Sequence, residues 1–258
     1  MRKEPKIIAV VNQKGGVGKT TTSINLATAM AAIEKKVLLV DLDPQGNAST
    51  GMGFDEKSRN STIYDLLVLD VPVKDVIKAS NIPNIDVIVS TVDLSGAEIE
   101  LVEKNNREFI LKEKIDPLVS MYDYIFIDCP PSLSILTVNA LVFATSVLIP
   151  LQCEFFALEG LSHLLKTIKL VQKKLNPKLF IEGVLLTMYD RRYNLTTQVE
   201  EDVRNYLGDL VFETIIPRNV RVSEAPSHGK PAIIYDIKCS GSLAYIDLVR
   251  EILEKERD

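Results

Sequence analysis

Apolar residues follow two rhythms along this chain. Short, largely apolar runs, most of them continuous, recur at 7–11, 36–41, 85–89, 124–128, 146–150, 181–187 and 211–216. Each has the length of one strand. Between them, apolar positions fall at helical spacing: Ile24, Ala27, Met30, Ala31 and Ile33; then Leu158, Leu161, Leu165, Ile168 and Leu175; then Leu195, Val199, Val203 and Tyr206; finally Leu243, Ile246, Val249 and Leu253. Runs without polar alternation predict strands covered on both faces. The chain therefore reads as one α/β domain over 1–258, with a mostly parallel sheet and helices on both faces. Binding sites in such sheets lie at the carboxyl ends of the strands. The stretch 47–84 breaks the rhythm. Gly, Ser, Asn and Pro separate short amphipathic pieces such as 63–69. It reads as a mobile excursion with one or two short helices.

The first strand leads into KGGVGKTT at 14–21, and a helical pattern follows. A strand, a glycine-rich turn and a helix start form a phosphate cradle. Glycines let the backbone curl and turn its N–H groups inward. The helix start adds unpaired donors and partial positive charge. In the P-loop pattern Lys19 reaches the β- and γ-phosphates, and the Thr20 hydroxyl binds Mg²⁺. The context is that of a P-loop NTPase, with one irregularity. The pattern G-x-x-x-x-G-K-[ST] wants glycine where this chain has Gln13, and a second lysine, Lys14, sits inside the loop. Two lysines five positions apart cannot easily serve one phosphate from one loop. The plainer reading of Lys14 is a solvated side chain on a flexible turn.

Two further runs end in acids. VLLVDLDPQGN at 37–47 places Asp41 and Asp43 two apart, on one side if the strand continues that far. Carboxylates beside a phosphate site hold Mg²⁺-bound water or orient an attacking water. A polar strand end before a turn is the simpler alternative. YIFIDCPP at 124–131 repeats the pattern, and Asp128 suits the Walker B role of organising the magnesium shell. Cys129 beside it reads as a buried thiol, since an iron–sulfur site needs several thiolates together.

Composition narrows the class. Of 258 residues, 46% are hydrophobic and 25% charged, an ordinary globular balance. No apolar run approaches the ~18 residues of a membrane span. The short lead into the first strand leaves no room for a signal peptide. Three scattered cysteines form no C-x-x-C pair, which argues against a zinc or disulfide framework and for a cytoplasmic setting. The net charge of −5 opposes nucleic acid globally, so DNA contact requires a local basic patch.

The loop at 14–21, DLDPQGN at 41–47 and IDCPPS at 127–132 together resemble the deviant Walker set of the ParA/MinD ATPases. The stretch IPRNVRVSEAPSHGKP at 216–231 is similar to the small chromosomal ParA branch, called Soj. The resemblance implies an ATP-hydrolysing switch for chromosome or plasmid partitioning, with ATP and Mg²⁺. It assigns nucleotide contact to Lys14, Gly15, Gly16, Val17, Gly18, Lys19, Thr20, Thr21, Pro217 and Asn219. It assigns catalysis to Lys14, Lys19 and Asp43, and the metal to Thr20, Asp43 and Asp128. Lys14 becomes the lysine that crosses a homodimer interface to the partner's ATP.

The resemblance further implies non-specific binding of double-stranded DNA through Arg192 and Arg221, on the nucleoid. It names a ParB-type activator, and it admits a replication initiator as a further partner. The start of the first strand near Ile7 speaks against an operator-reading domain ahead of it. A MinD-like membrane ATPase positioning cell division is the alternative. Against it, the end VREILEKERD at 249–258 mixes acids into its basic residues, so no stable membrane association is expected.

Overall fold

Six of the seven apolar runs become strands in the computed structural model, which describes residues 4–256. Residues 1–3 and 257–258, the two ends of the expected domain and of the chain-end readings above, lie outside the described residues. The strands are β1 (Lys6–Val10), β2 (Val37–Asp41), β3 (Ile77–Ala79), β4 (Ile85–Ile88), β5 (Tyr124–Asp128), β6 (Ser146–Gln152) and β7 (Phe180–Thr187). They form one sheet in the order β3-β4-β2-β5-β1-β6-β7. All neighbours are parallel except β3 and β4. The sheet thus runs outward in both directions from β1, and the turn after β1 sits where those directions diverge.

Alternate residues of each central strand enter different cores. Ile7, Ala9 and Val11 join one apolar cluster with Leu38 and Val40. Ile8 and Val10 join another with Val37 and Leu39. Helices α1 (Lys19–Ala32) and α5 (Ser240–Lys255) cover the second cluster. Helices α2 (Ile135–Phe143), α3 (Ala157–Lys174) and α4 (Asn194–Leu207) cover the first. Burial on both sides is why the strands carry no polar alternation. Among the described residues, no helix is long and apolar enough to cross a membrane.

Three expectations need correction. The run at 211–216 does not form a strand. It meets β7 at scattered points, with a bridge from Val184 to Val211 and backbone N–H bonds from Phe212 to the Val184 carbonyl (3.0 Å) and from Ile216 to the Leu186 carbonyl (2.9 Å). The cause is Glu251 on α5, whose carboxylate accepts the backbone N–H groups of Glu213 and Thr214, each at 2.9 Å. Those bonds pull the middle of the run out of the ladder. The stretch 47–84 is a packed layer, because Ile63, Leu66, Leu67 and Val76 are fully buried in the first core. It also carries β3, which the pattern did not predict because its three residues are partly exposed and include Lys78.

Gly183 is where β7 meets the segment after α4. A Cβ built there would lie 2.5 Å from Phe212 Cε2, and the Phe212 ring is fully buried. Gly183→Ala is expected to lower stability by about 1–3 kcal/mol, the usual cost of overpacking a core. Urea unfolding of the two proteins checks it.

Candidate functional site

The loop after β1 is tied down before any ligand arrives. Asn12 donates from Nδ2 to the Pro150 carbonyl of β6 (2.7 Å), and its Oδ1 accepts the Lys14 N–H (2.9 Å). On the other side, Thr187 at the end of β7 donates to the Val17 carbonyl (2.8 Å). Val17 is buried by this contact. Gly16 has φ 74° and Gly18 has φ 89°, a left-handed backbone that L side chains rarely adopt. Gly18 also caps α1, so the first N–H groups of that helix face the loop.

The two lysines diverge. Lys19 is 6% exposed and donates from Nζ to the Lys14 carbonyl (3.1 Å) across the loop. Burial lowers its pKa, and the Asp128 carboxylate beside it pulls the other way. Lys14 points outward and ion-pairs with Glu154 just beyond β6, with both side chains about half exposed. Phe155 and Phe156 follow, edge to face and largely exposed.

The acids sit beneath and beside the loop. Asp41 and Asp128 are direct neighbours at the ends of β2 and β5, and Asp128 also lies beside Val10 of β1. Both are fully buried. The strand ends at Asp41, so the expected same-side placement of Asp41 and Asp43 does not arise from strand geometry. Asp41 is occupied structurally: its Oδ2 accepts Ser49 N–H (2.7 Å) and Ser49 Oγ (2.6 Å), and its Oδ1 accepts Asp43 N–H (3.3 Å). Asp43 is freed from the strand, and its Oδ1 accepts the Gln45 N–H (2.9 Å). Asp128 Oδ1 accepts from Ser23 Oγ (3.1 Å), whereas its buried Oδ2 has no hydrogen-bond partner. Burial raises the pKa of Asp128, and the charge of Asp41 adds to the rise. Burial raises Asp41 too, against the hydrogen bonds of Ser49.

A cavity of about 470 Å³ opens above these groups. Gly15, Gly16, Gly18, Lys19, Thr20, Thr21, Asp43, Pro217 and Asn219 all line it. The loop, the second acid segment and the stretch after the broken run thus converge. Lys14, Val17 and Asp128 do not line the cavity: Lys14 is half exposed and paired with Glu154, and Val17 and Asp128 are buried. Gln45, Asn47, Thr50 and Thr187 line it and were not singled out from sequence. Gln45 and Asn47 stood in the quoted segment, but only the fold turns them inward. Cys129 is a fully buried free thiol.

The orphaned Asp128 oxygen fits a cation. Among the described residues, no group of three or more His, Cys, Asp or Glu side chains could hold a metal alone. Mg²⁺ keeps several waters and takes further ligands from phosphates, so it would need few protein groups. Thr20, Asp43 and Asp128 are the residues on hand.

Arg192 and Arg221 lie outside the cavity. Arg192 donates from Nε and Nη2 to Asp190 (2.8 and 2.6 Å), which holds that carboxyl down at about 2. Arg221 pairs with Glu224 (3.2 Å) and Asp236 (3.7 Å). The segments carrying them are neighbours, because Arg218 N–H donates to the Tyr189 carbonyl (3.0 Å).

The raised carboxyl pKa values fix a sign for stability. An unfolded Asp titrates near ~3.9. Between that value and the raised folded values, the folded chain keeps protons that the unfolded chain has lost. Stability of the ligand- and metal-free protein should therefore fall as pH rises through this window. Urea midpoints measured between pH 5 and 8 with chelator present should show the decline, and Asp128→Asn should flatten it.

Residues 5–181 match the sequence family described as AAA domain. The chain is 58% identical over 247 residues to the sporulation initiation inhibitor protein Soj of Bacillus subtilis, covering 96% of this chain and 98% of that one. It is 54% identical over 255 residues to the chromosome partitioning protein ParA of Caulobacter vibrioides, covering 98% and 96%. Its fold is similar to that of cobyrinic acid a,c-diamide synthase from Mycobacterium smegmatis with bound ADP and magnesium, at TM-score 0.86, 34% identity and coverage of 98% and 96%. It is also similar to the cell division ATPase MinD of Pyrococcus furiosus, at TM-score 0.80, 28% identity and coverage of 97% and 99%. With its phosphate loop, strand-end acids and near full-length identity to these relatives, the chain belongs to the ParA/Soj family of chromosome-partitioning ATPases.

Proposed function

We propose that this chain is an ATP-hydrolysing switch for DNA partitioning. With ATP and Mg²⁺ it pairs with a second copy, and the dimer binds double-stranded DNA without sequence preference. A ParB-type activator stimulates hydrolysis and releases it. The observation that carries this reading is the divergence of the two lysines. Lys19 is buried against the acids of its own site, and Lys14 is half exposed and paired with Glu154.

Each residue then has a physical task. Lys19 and the N–H groups of 15–21 neutralise and orient the phosphates of the chain's own nucleotide. Thr20, Asp43 and Asp128 would hold Mg²⁺, and Thr20 and Asp43 line the cavity. When bound, the ion would supply charge neutralisation to the phosphates. Asp43, with one oxygen held by Gln45, is fixed well enough to orient the attacking water through the other. Orienting that water, more than taking its proton, is the role proposed for it. Pro217 and Asn219 line the far wall, where the adenine would lie. Lys14 acts on the partner's phosphates as a charge supplied in trans. The exposed Phe155–Phe156 pair beside it gives that contact an apolar margin.

DNA contact is assigned to Arg192 and Arg221. Each is tied to an acid within the single chain, which keeps the net field of one copy weak. Two copies present twice the surface to one duplex. The setting follows as cytoplasmic and nucleoid-associated. The MinD-like membrane reading is disfavoured by α5, whose apolar residues Tyr245, Leu248, Val249 and Ile252 are buried in the core.

DNA retention measured with ATP, with ADP and without nucleotide tests the switch. Retention is expected with ATP alone, and equal retention in all three would sink it. The ATP state should lose affinity with salt at a slope of about −0.9 per phosphate neutralised. Lys14→Ala should keep nucleotide binding and lose turnover by roughly 10³-fold or more, the scale of a charge supplied in trans. Unchanged turnover would remove the trans role.

A further inference from the structure

The turn that carries Asp43 is clamped from two sides, and only one clamp belongs to the acids described above. On the buried side, Ser49 bonds Asp41 and its Oγ accepts the Ser90 N–H (2.9 Å) at the end of β4. On the rim side stands Arg59. Its Nη1 donates to the Ser90 carbonyl (3.1 Å), its Nη2 to Thr50 Oγ1 (2.7 Å), and its Nε and Nη2 both to the Phe54 carbonyl (3.3 and 2.8 Å). Thr50 Oγ1 in turn donates to the Gly46 carbonyl (3.1 Å), and Gly46 N–H donates to the Asp43 carbonyl (2.9 Å). A continuous chain of hydrogen bonds therefore runs from Arg59 to the backbone of Asp43.

The fit is close. Gly46 has φ +60°, and a Cβ built there would lie 2.4 Å from Arg59 Nη1. The guanidinium thus lies directly over the left-handed glycine, the residue best able to let the turn swing. Among the described residues, Arg59 has no carboxylate partner; its acceptors are two carbonyls and a hydroxyl. A fully ionised side chain held only by neutral groups is an expensive way to brace a surface turn. The planar fork is what the place demands, because three acceptors from three directions must be met at once.

We propose that Arg59 is a positioning residue for ATP hydrolysis, pinning the 43–50 turn so that Asp43 keeps its aim into the cavity. This rests on the role given to Asp43 above. Arg59 does not line the cavity and touches no nucleotide-facing group except Thr50. Its removal leaves the phosphate loop intact, since that loop is held by Asn12 and Thr187. It loosens only the catalytic wall. Misplacing a reacting group by about an ångström costs on the order of 10²-fold in rate.

The test compares wild type, Arg59→Ala and Arg59→Lys by single-turnover ATP hydrolysis, nucleotide affinity and thermal melting. Arg59→Ala should lower the hydrolysis rate by about 10- to 100-fold with nucleotide affinity within about twofold. Arg59→Lys should fall nearly as far, because one ammonium cannot reach the three acceptors together. An undiminished rate in Arg59→Ala, a full rate in Arg59→Lys, or a parallel loss of nucleotide affinity and melting temperature would each overturn the positioning role. If wild type hydrolyses no ATP, the function proposed above fails instead, so the two failures are separable.

Discussion

Two carboxylates buried side by side set the terms for this molecule. Asp41 and Asp128 end neighbouring strands and are fully buried. Like charges in a low-dielectric setting repel strongly unless something answers them. Asp41 is answered within the chain by Ser49 and by the Asp43 backbone. Asp128 is answered only in part, by the hydroxyls of Thr20 and Ser23 and by the nearby Lys19. The proposed Mg²⁺ would answer that deficit.

The same arrangement explains why two neighbouring acids take different tasks. Asp41 lies in the strand and ties the following turn to the sheet. Asp43 lies beyond the strand end, so its side chain is set by the turn. The turn is in turn set by Ser49, Ser90 and Arg59. Stability and aim are thus shared across β2, β4 and a segment that looks like a loose excursion in one dimension. The lysines divide in the same manner. The curl of the loop carries Lys19 under its own backbone and throws Lys14 outward. One loop can therefore serve a site and a surface at once.

Much of this was legible in the residues. Largely apolar runs located six strands, because burial on both sheet faces removes polar alternation, and helical spacing located the long helices. The phosphate loop was legible because glycine is the residue best suited to the left-handed backbone at Gly16 and Gly18. The acids at 41, 43 and 128 were visible as abrupt ends to apolar runs.

What the sequence determined by itself was local: where most strands and the long helices form, and which segments carry glycines, lysines and acids at strand ends. The tertiary structure decided what depends on partners far along the chain. Whether 211–216 became a strand rested on Glu251, and whether 47–84 was packed rested on the first core. That Asp41 is structural and Asp43 faces the cavity rested on Ser49, Ser90 and Arg59. Each of these outcomes is a competition for one hydrogen bond or one buried face. Such contests are settled by proximity in space, which spacing along the chain does not encode.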